Sequence, residues 1–247
     1  MTEEVDLSEF SARTGGLPGL RGFLARPPGD APRPGVVVLF EASGADAVNK
    51  RLNERMAEAG YLSLMPDLYH GRSPYRCLVP TMRAVYSGYG RVYGDIEAAR
   101  QRLLADPGCT GKVGVIGFCM GGGFALVLAG QGRYDAASVN YGRAPSPSDA
   151  EAAMKGACPV IASYGARDRA FRGYAATIRT ALERAGVEHD VKLYPDAGHS
   201  FFNEADNVPP VLRPVMRAVM GIGPEPAAAA DAWRRIEAFF GKHLAAE

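Results

Sequence analysis

The chain has 247 residues, 47% of them apolar and 22% charged, the balance of an ordinary folded globule rather than a disordered tail. Its 28 basic and 27 acidic residues leave a formal charge of +1, which excludes the electrostatic footprint of a nucleic-acid or anionic-lipid binder. Glycine (30) and proline (18) are abundant but follow no three-residue period, so the chain is rich in turns and not collagen-like.

Met1 to Glu9 carries acids rather than a basic region with an apolar run, and no stretch of about 18 apolar residues follows. The expectation is a cytoplasmic protein with no membrane segment. Val36 to Phe40 is a continuous β-branched and apolar run, the pattern of a strand covered on both faces. Asp46 to Ala59 has helical spacing (Leu52, Met56, Ala59) and stops at Gly60. Tyr61 to Met65 is a short strand ended by Pro66. A helix with Ile96, Leu103 and Leu104 on one face ends at Asp106-Pro107-Gly108, and Lys112 to Phe118 is a buried strand that runs into a helix from Met120 to about Gly130. Further strands are predicted at Ala136 to Tyr141, Pro159 to Tyr164 and Val187 to Tyr194, with helices at Arg172 to Arg184 and Ala228 to Leu244.

This alternation predicts an α/β fold with a mostly parallel sheet, formed as one domain over residues 1–247. One segment breaks the rhythm. Asn203 to Pro226 holds Pro209, Pro210, Pro214, Pro224 and Pro226 around an apolar patch of Val211, Leu212, Val215, Met216, Val219 and Met220. Its ordinary reading is a connecting loop with one short core-packed helix; the sharper one is a flap beside the functional site or a dimer contact.

Gly117-Phe118-Cys119-Met120-Gly121-Gly122 stands where a buried strand meets a helix. That is the nucleophile elbow G-x-S-x-G with cysteine as the central residue. The turn is so tight that neighbouring backbone would collide with a Cβ at the flanking positions, which packing alone would not demand. A dinucleotide loop would need glycine where Cys119 stands, and a P-loop would need a lysine that is missing. The other cysteines, Cys77, Cys109 and Cys158, form no C-x-x-C pair and no disulfide framework.

A thiol nucleophile needs a base. His70 sits in a loop, His189 in the polar start of a strand and His243 on an expected exposed helix face, whereas His199 follows the last strand on a glycine-bearing loop at the carboxyl edge of the sheet. Open α/β sheets build their sites at that edge. The acid comes between nucleophile and histidine in this topology. Asp168 follows the Pro159 to Tyr164 strand directly and would orient the imidazole; Asp196 is the alternative, although a turn role suits it better.

With these residues the chain resembles the dienelactone hydrolase family of α/β-hydrolases. The likeness runs through Phe40-Glu41-Ala42-Ser43-Gly44, Gly60-Tyr61, Pro66-Asp67-Leu68-Tyr69, the elbow, Tyr141-Gly142, the Tyr164 to Asp168 turn and Gly198-His199-Ser200-Phe201. It implies an α/β-hydrolase fold, a mostly parallel central sheet flanked by helices on both faces, with Cys119, Asp168 and His199 as the triad. It also implies that Glu41 contacts the resting thiol and helps deprotonate it. The oxyanion donors would be the backbone N–H groups of Ala42 and Met120.

The resemblance further implies a substrate carboxylate held by arginines. Arg83, in the Thr81 to Tyr86 stretch, matches one of them, with Tyr86 beside it; Asn203 stands where the second is expected, which removes the salt bridge that would hold Glu41. Arg143 is a substitute clamp. The reading is hydrolysis of a lactone or ester of dienelactone (carboxymethylenebutenolide-like) type through an acyl-cysteine. A general carboxylesterase or thioesterase is the alternative, and a ligand-binding or thiol-sensor protein the non-enzyme one. No cofactor or metal site is expected. The expected partner is a small-molecule ester or lactone, with no nucleic acid and no membrane, and the chain would be a monomer or homodimer.

Overall fold

The computed structural model describes residues 2–245, with the side chain of Tyr86 outside the description. In chain order the elements are β1 (Thr2–Asp6), α1 (Ser8–Thr14), β2 (Arg21–Ala25), β3 (Arg33–Leu39), α2 (Ala47–Glu58), β4 (Leu62–Pro66), α3 (Pro74–Ser87), α4 (Arg91–Leu104) and β5 (Cys109–Phe118). They continue as α5 (Met120–Ala129), β6 (Ala136–Asn140), α6 (Pro147–Met154), β7 (Val160–Gly165), α7 (Arg172–Ala185), β8 (His189–Tyr194), α8 (Arg213–Met220) and α9 (Pro226–His243). The strands form one eight-stranded sheet in the order β1-β2-β4-β3-β5-β6-β7-β8. β1 and β2 run antiparallel to their neighbours, and every pair from β4 to β8 is parallel.

The parallel strands are apolar runs because both of their faces are covered. Val36, Val37 and Leu39 are fully buried in β3, as are Val115 and Ile116 in β5, and each such side chain contributes roughly 1.5–3 kcal/mol. α5 is buried almost throughout, which explains why MGGGFALVLA shows no polar face. Gly114 lets α9 lie close on β5: a Cβ there would meet Leu244 Cδ1 at 2.9 Å and Phe240 Cε2 at 3.5 Å. α2 starts where Asp46 caps it, its carboxylate accepting the Asn49 N–H at 2.8 Å. Gly60, with φ 96°, turns the chain out after it.

Three expectations need correction. Leu104 is 39% exposed at the end of α4, and Leu103 alone of that pair enters the core; consecutive helical residues point about 100° apart, so they cannot share a face. His243 is not on an open face: its side chain is 12% exposed, bonded to Glu188 and packed against the Phe239 ring. The helix predicted after Asn203 forms as α8, yet no residue of it is buried, and Val211, Leu212, Val215 and Val219 are exposed. Its apolar stripe faces outward, which removes the core-packed reading.

Candidate active site

The chemistry gathers at the carboxyl ends of β3, β5, β7 and β8, with Tyr141 from the end of β6. β5 ends at Phe118, and Cys119 turns the chain at φ 52°, ψ −111° before α5 begins. This left-handed backbone costs roughly 1–3 kcal/mol for a residue with a Cβ. Close backbone contacts enforce it. A Cβ on Gly117 would lie 2.0 Å from Gly121 O, and one on Gly121 would lie 2.1 Å from Leu39 O. Hydrogen bonds from Cys119 N to Asn140 O (3.0 Å) and from Gly121 N to Phe40 O (3.2 Å) tie the elbow to both neighbouring strand ends.

His199 and Asp168 meet as the spacing predicts. His199 Nδ1 lies 2.6 Å from Asp168 Oδ2, and both side chains are buried. The other Asp168 oxygen accepts the N–H groups of Ala170 and Phe171, each at 3.1 Å, so the carboxylate cannot rotate freely. The rings of Tyr141 and Phe171 flank the imidazole, each with its centroid 4.8 Å away. Backbone bonds from His199 N to Met220 O (2.9 Å) and from Gly223 N to His199 O (3.3 Å) fix the loop. Nε2 is buried and makes no hydrogen bond among the described residues, and Cys119 lies near enough for its charge to act on the ring. Burial disfavours the imidazolium, but the charge of Cys119 and the hydrogen bond to Asp168 outweigh it and push the His199 pKa up to about 10. Asp196 instead pairs with exposed Arg167 at 3.0 Å.

Glu41 is 4% exposed, and the side-chain donors given for it are two amides. Its Oε2 accepts from Asn203 Nδ2 at 2.9 Å and Asn207 Nδ2 at 3.0 Å. The position where the resemblance calls for an arginine is therefore occupied by one of two neutral amides that hold the carboxylate. Among the described residues neither the buried Oε1 nor the Tyr141 hydroxyl closes a hydrogen bond. Burial, then the charges of Glu41 and Cys119, push that phenol well above its usual pKa, so it stays neutral.

The Ala42 and Met120 N–H groups donate to no acceptor within the described chain. Tyr69 braces the two segments, its hydroxyl donating to Ala42 O at 2.9 Å with Met120 Sδ at 3.7 Å. A narrow cavity of about 20 Å³ opens over Cys119, lined by Met82, Val85, Met120, Gly123, Arg143 and Phe171. Arg143, an exposed residue, thus lines the same cavity as Cys119. Arg83 is exposed on α3 and does not line the cavity, where Met82 and Val85 stand instead. Tyr86, the remaining expected contact, lies outside the described side chains.

The sequence assigns no role to Asn207, Asn49 or Phe171, and none to Ser43 or Tyr69 beyond their place in the quoted motifs. Phe171 lies in the turn that Asp168 closes and Asn49 only 8 residues from Glu41, whereas 166 residues separate Glu41 from Asn207.

A parallel sheet with a strained elbow on a central strand and an acid–histidine pair on later loops defines an α/β-hydrolase. The profile of the dienelactone hydrolase family matches residues 20–244. The chain belongs to the dienelactone hydrolase family. It is 26% identical over 210 residues to the carboxymethylenebutenolidase of Pseudomonas putida, covering 81% of this chain and 86% of that one. Among solved structures, a dienelactone hydrolase-like promiscuous phosphotriesterase from metagenomic libraries superposes with TM-score 0.77 at 25% identity, covering 99% of each chain. The dienelactone hydrolase of Anabaena variabilis does so with TM-score 0.71 at 23% identity, again over 99% of each. No helix among the described residues is long and apolar enough to cross a membrane.

Proposed function

We propose that the chain works as one hydrolase domain that cleaves a carboxylic ester or lactone through an acyl-cysteine. The observation that carries this is Cys119 held at φ 52° beside a buried histidine that is oriented by Asp168 at 2.6 Å. Its thiol proton passes to His199 Nε2, and Glu41 is assigned the assisting carboxylate by the family resemblance. The thiolate attacks the carbonyl carbon, forming C–S while the carbonyl π pair moves to oxygen, which Ala42 and Met120 N–H receive. Collapse breaks the C–O bond, and the departing alkoxide takes the proton from His199. Water then gives a proton to His199 and its hydroxide to the acyl carbon, and the thiolate leaves.

Magnitudes decide which parts matter. Full ionisation of a thiol with an ordinary pKa of about 8.5 gains only about 2 kcal/mol at pH 7. Enzymes lower barriers by roughly 8 kcal/mol or more. Two oxyanion donors at roughly 3 kcal/mol each and orientation of the bound ester supply the larger share.

Arg143 is assigned a substrate carboxylate, because among the described lining residues it alone is charged. The apolar remainder of that lining, with Asn203 occupied by Glu41, favours a second reading in which the substrate is a small neutral ester. Intact-mass analysis with a slowly hydrolysed ester is expected to show an acyl adduct that disappears in Cys119→Ala; hydrolysis surviving that substitution ends the proposal. Arg143→Gln should lower kcat/KM about 10- to 100-fold on a carboxylate-bearing enol lactone and leave a neutral acetate ester unchanged. Equal rates of the wild type on both substrates favour the second reading.

A further inference from the structure

β3 ends at Leu39, so the segment that carries Ala42 runs beyond the last ladder hydrogen bond and must be held by other means. Tyr69 braces it through Ala42 O, and side-chain amides hold it from both sides. Asn49 Oδ1 accepts the Glu41 N–H at 2.9 Å and Asn49 Nδ2 donates to Ser43 Oγ at 2.9 Å. From the opposite side, Asn207 Nδ2 donates to Glu41 Oε2 at 3.0 Å and to Ser43 Oγ at 2.9 Å. One amide nitrogen of the segment after the histidine loop therefore spans the two residues that bracket Ala42. Glu41 does not need it for charge compensation alone, since Asn203 already donates to the same oxygen. The bond that sets Asn207 apart is the one to Ser43.

We propose that Asn207 is a positioning residue for the Ala42 N–H, and that the Asn203 to Pro226 segment is thereby part of the support of the oxyanion hole. The inference rests on the reading of Ala42 as an oxyanion donor. Displacing a catalytic group by about 1 Å costs on the order of 100-fold in rate, so a loosened 41–43 segment should show in turnover before it shows in binding.

The test uses the full chain, a neutral short ester and iodoacetamide. Alkylation of Cys119 by iodoacetamide is displacement at a saturated carbon and develops no carbonyl oxyanion. Asn207→Ala and Ser43→Ala are each expected to lower kcat about 10- to 100-fold, with KM and the alkylation rate each changed less than about threefold. The double variant should be no slower than the worse single one. Asn207→Leu, which keeps the shape and removes the donor, gives the same readout should the alanine variant not fold. The proposal is overturned by kcat within about twofold of wild type, by parallel loss of kcat and alkylation, or by additive losses in the double variant. Failure of the underlying hydrolase reading looks different: Cys119→Ala would then retain turnover whatever Asn207 does.

Discussion

His199 carries two opposed demands, deep burial and a neighbouring sulfur whose charge favours the imidazolium. The second wins, and its pKa rises to about 10. A histidine whose pKa is raised on folding adds stability that is fully present below its unfolded value of about 6.5 and is lost as pH climbs through about 10. Urea denaturation of wild type and His199→Gln across pH 6 to 10.5 should therefore show a gap that narrows with rising pH. In a Cys119→Ala background the narrowing should be weaker, because the first favourable contribution to the shift is gone. A gap that stays constant would mean that folding does not raise the His199 pKa. The same residue shows what is legible locally: a glycine, a histidine and a strand end announced it, as the elbow glycines announced Cys119.

α2 links helix stability to the site. Asp46 caps it and also accepts from Asn49 Nδ2 at 3.0 Å, and Asn49 in turn holds Glu41 and Ser43. Asp46→Ala is expected to cost about 1 kcal/mol in thermal or urea unfolding and to lower kcat as well, because Asn49 loses its anchor; stability loss with unchanged kcat would separate the two roles. Elements of this kind are legible where their pattern is strong: the buried strands β3 to β7 as apolar runs, α2 by its spacing and glycine stop, and α5 by the glycine-rich turn that opens it. β1 and β2 were missed because TEEVD and RGFLA are short strands whose pairing, not composition, makes them strands. α3 was missed because Pro80 lies inside it, and α6 because eight residues give too few turns to show a period. The amide cluster on Glu41 was unreadable for a different reason: it is assembled only when α2 and the segment after His199 meet.

At the scale of the whole molecule, α8 is held by its ends. Met220 O receives the His199 N–H and Val219 O the Arg169 N–H, while Arg213 and Arg217 lie 3.2 and 3.5 Å from Asp206. Its outward valines contribute little to folding. Val215→Ser, at a side chain 66% exposed, should change unfolding free energy by no more than about 0.5 kcal/mol; a cost of 2 kcal/mol or more would show that this face is covered in solution.

The single tryptophan of the chain is Trp233, and its position gives the protein an optical property. Its ring lies 5.1 Å from Phe202 and 6.1 Å from Phe118, between centroids. One of these residues immediately precedes Cys119, and the other lies in the loop that carries His199. The indole emission thus comes from one place, behind Cys119 and the His199 loop, so a stopped-flow fluorescence trace tests without a dye whether the proposed thioester forms and decays.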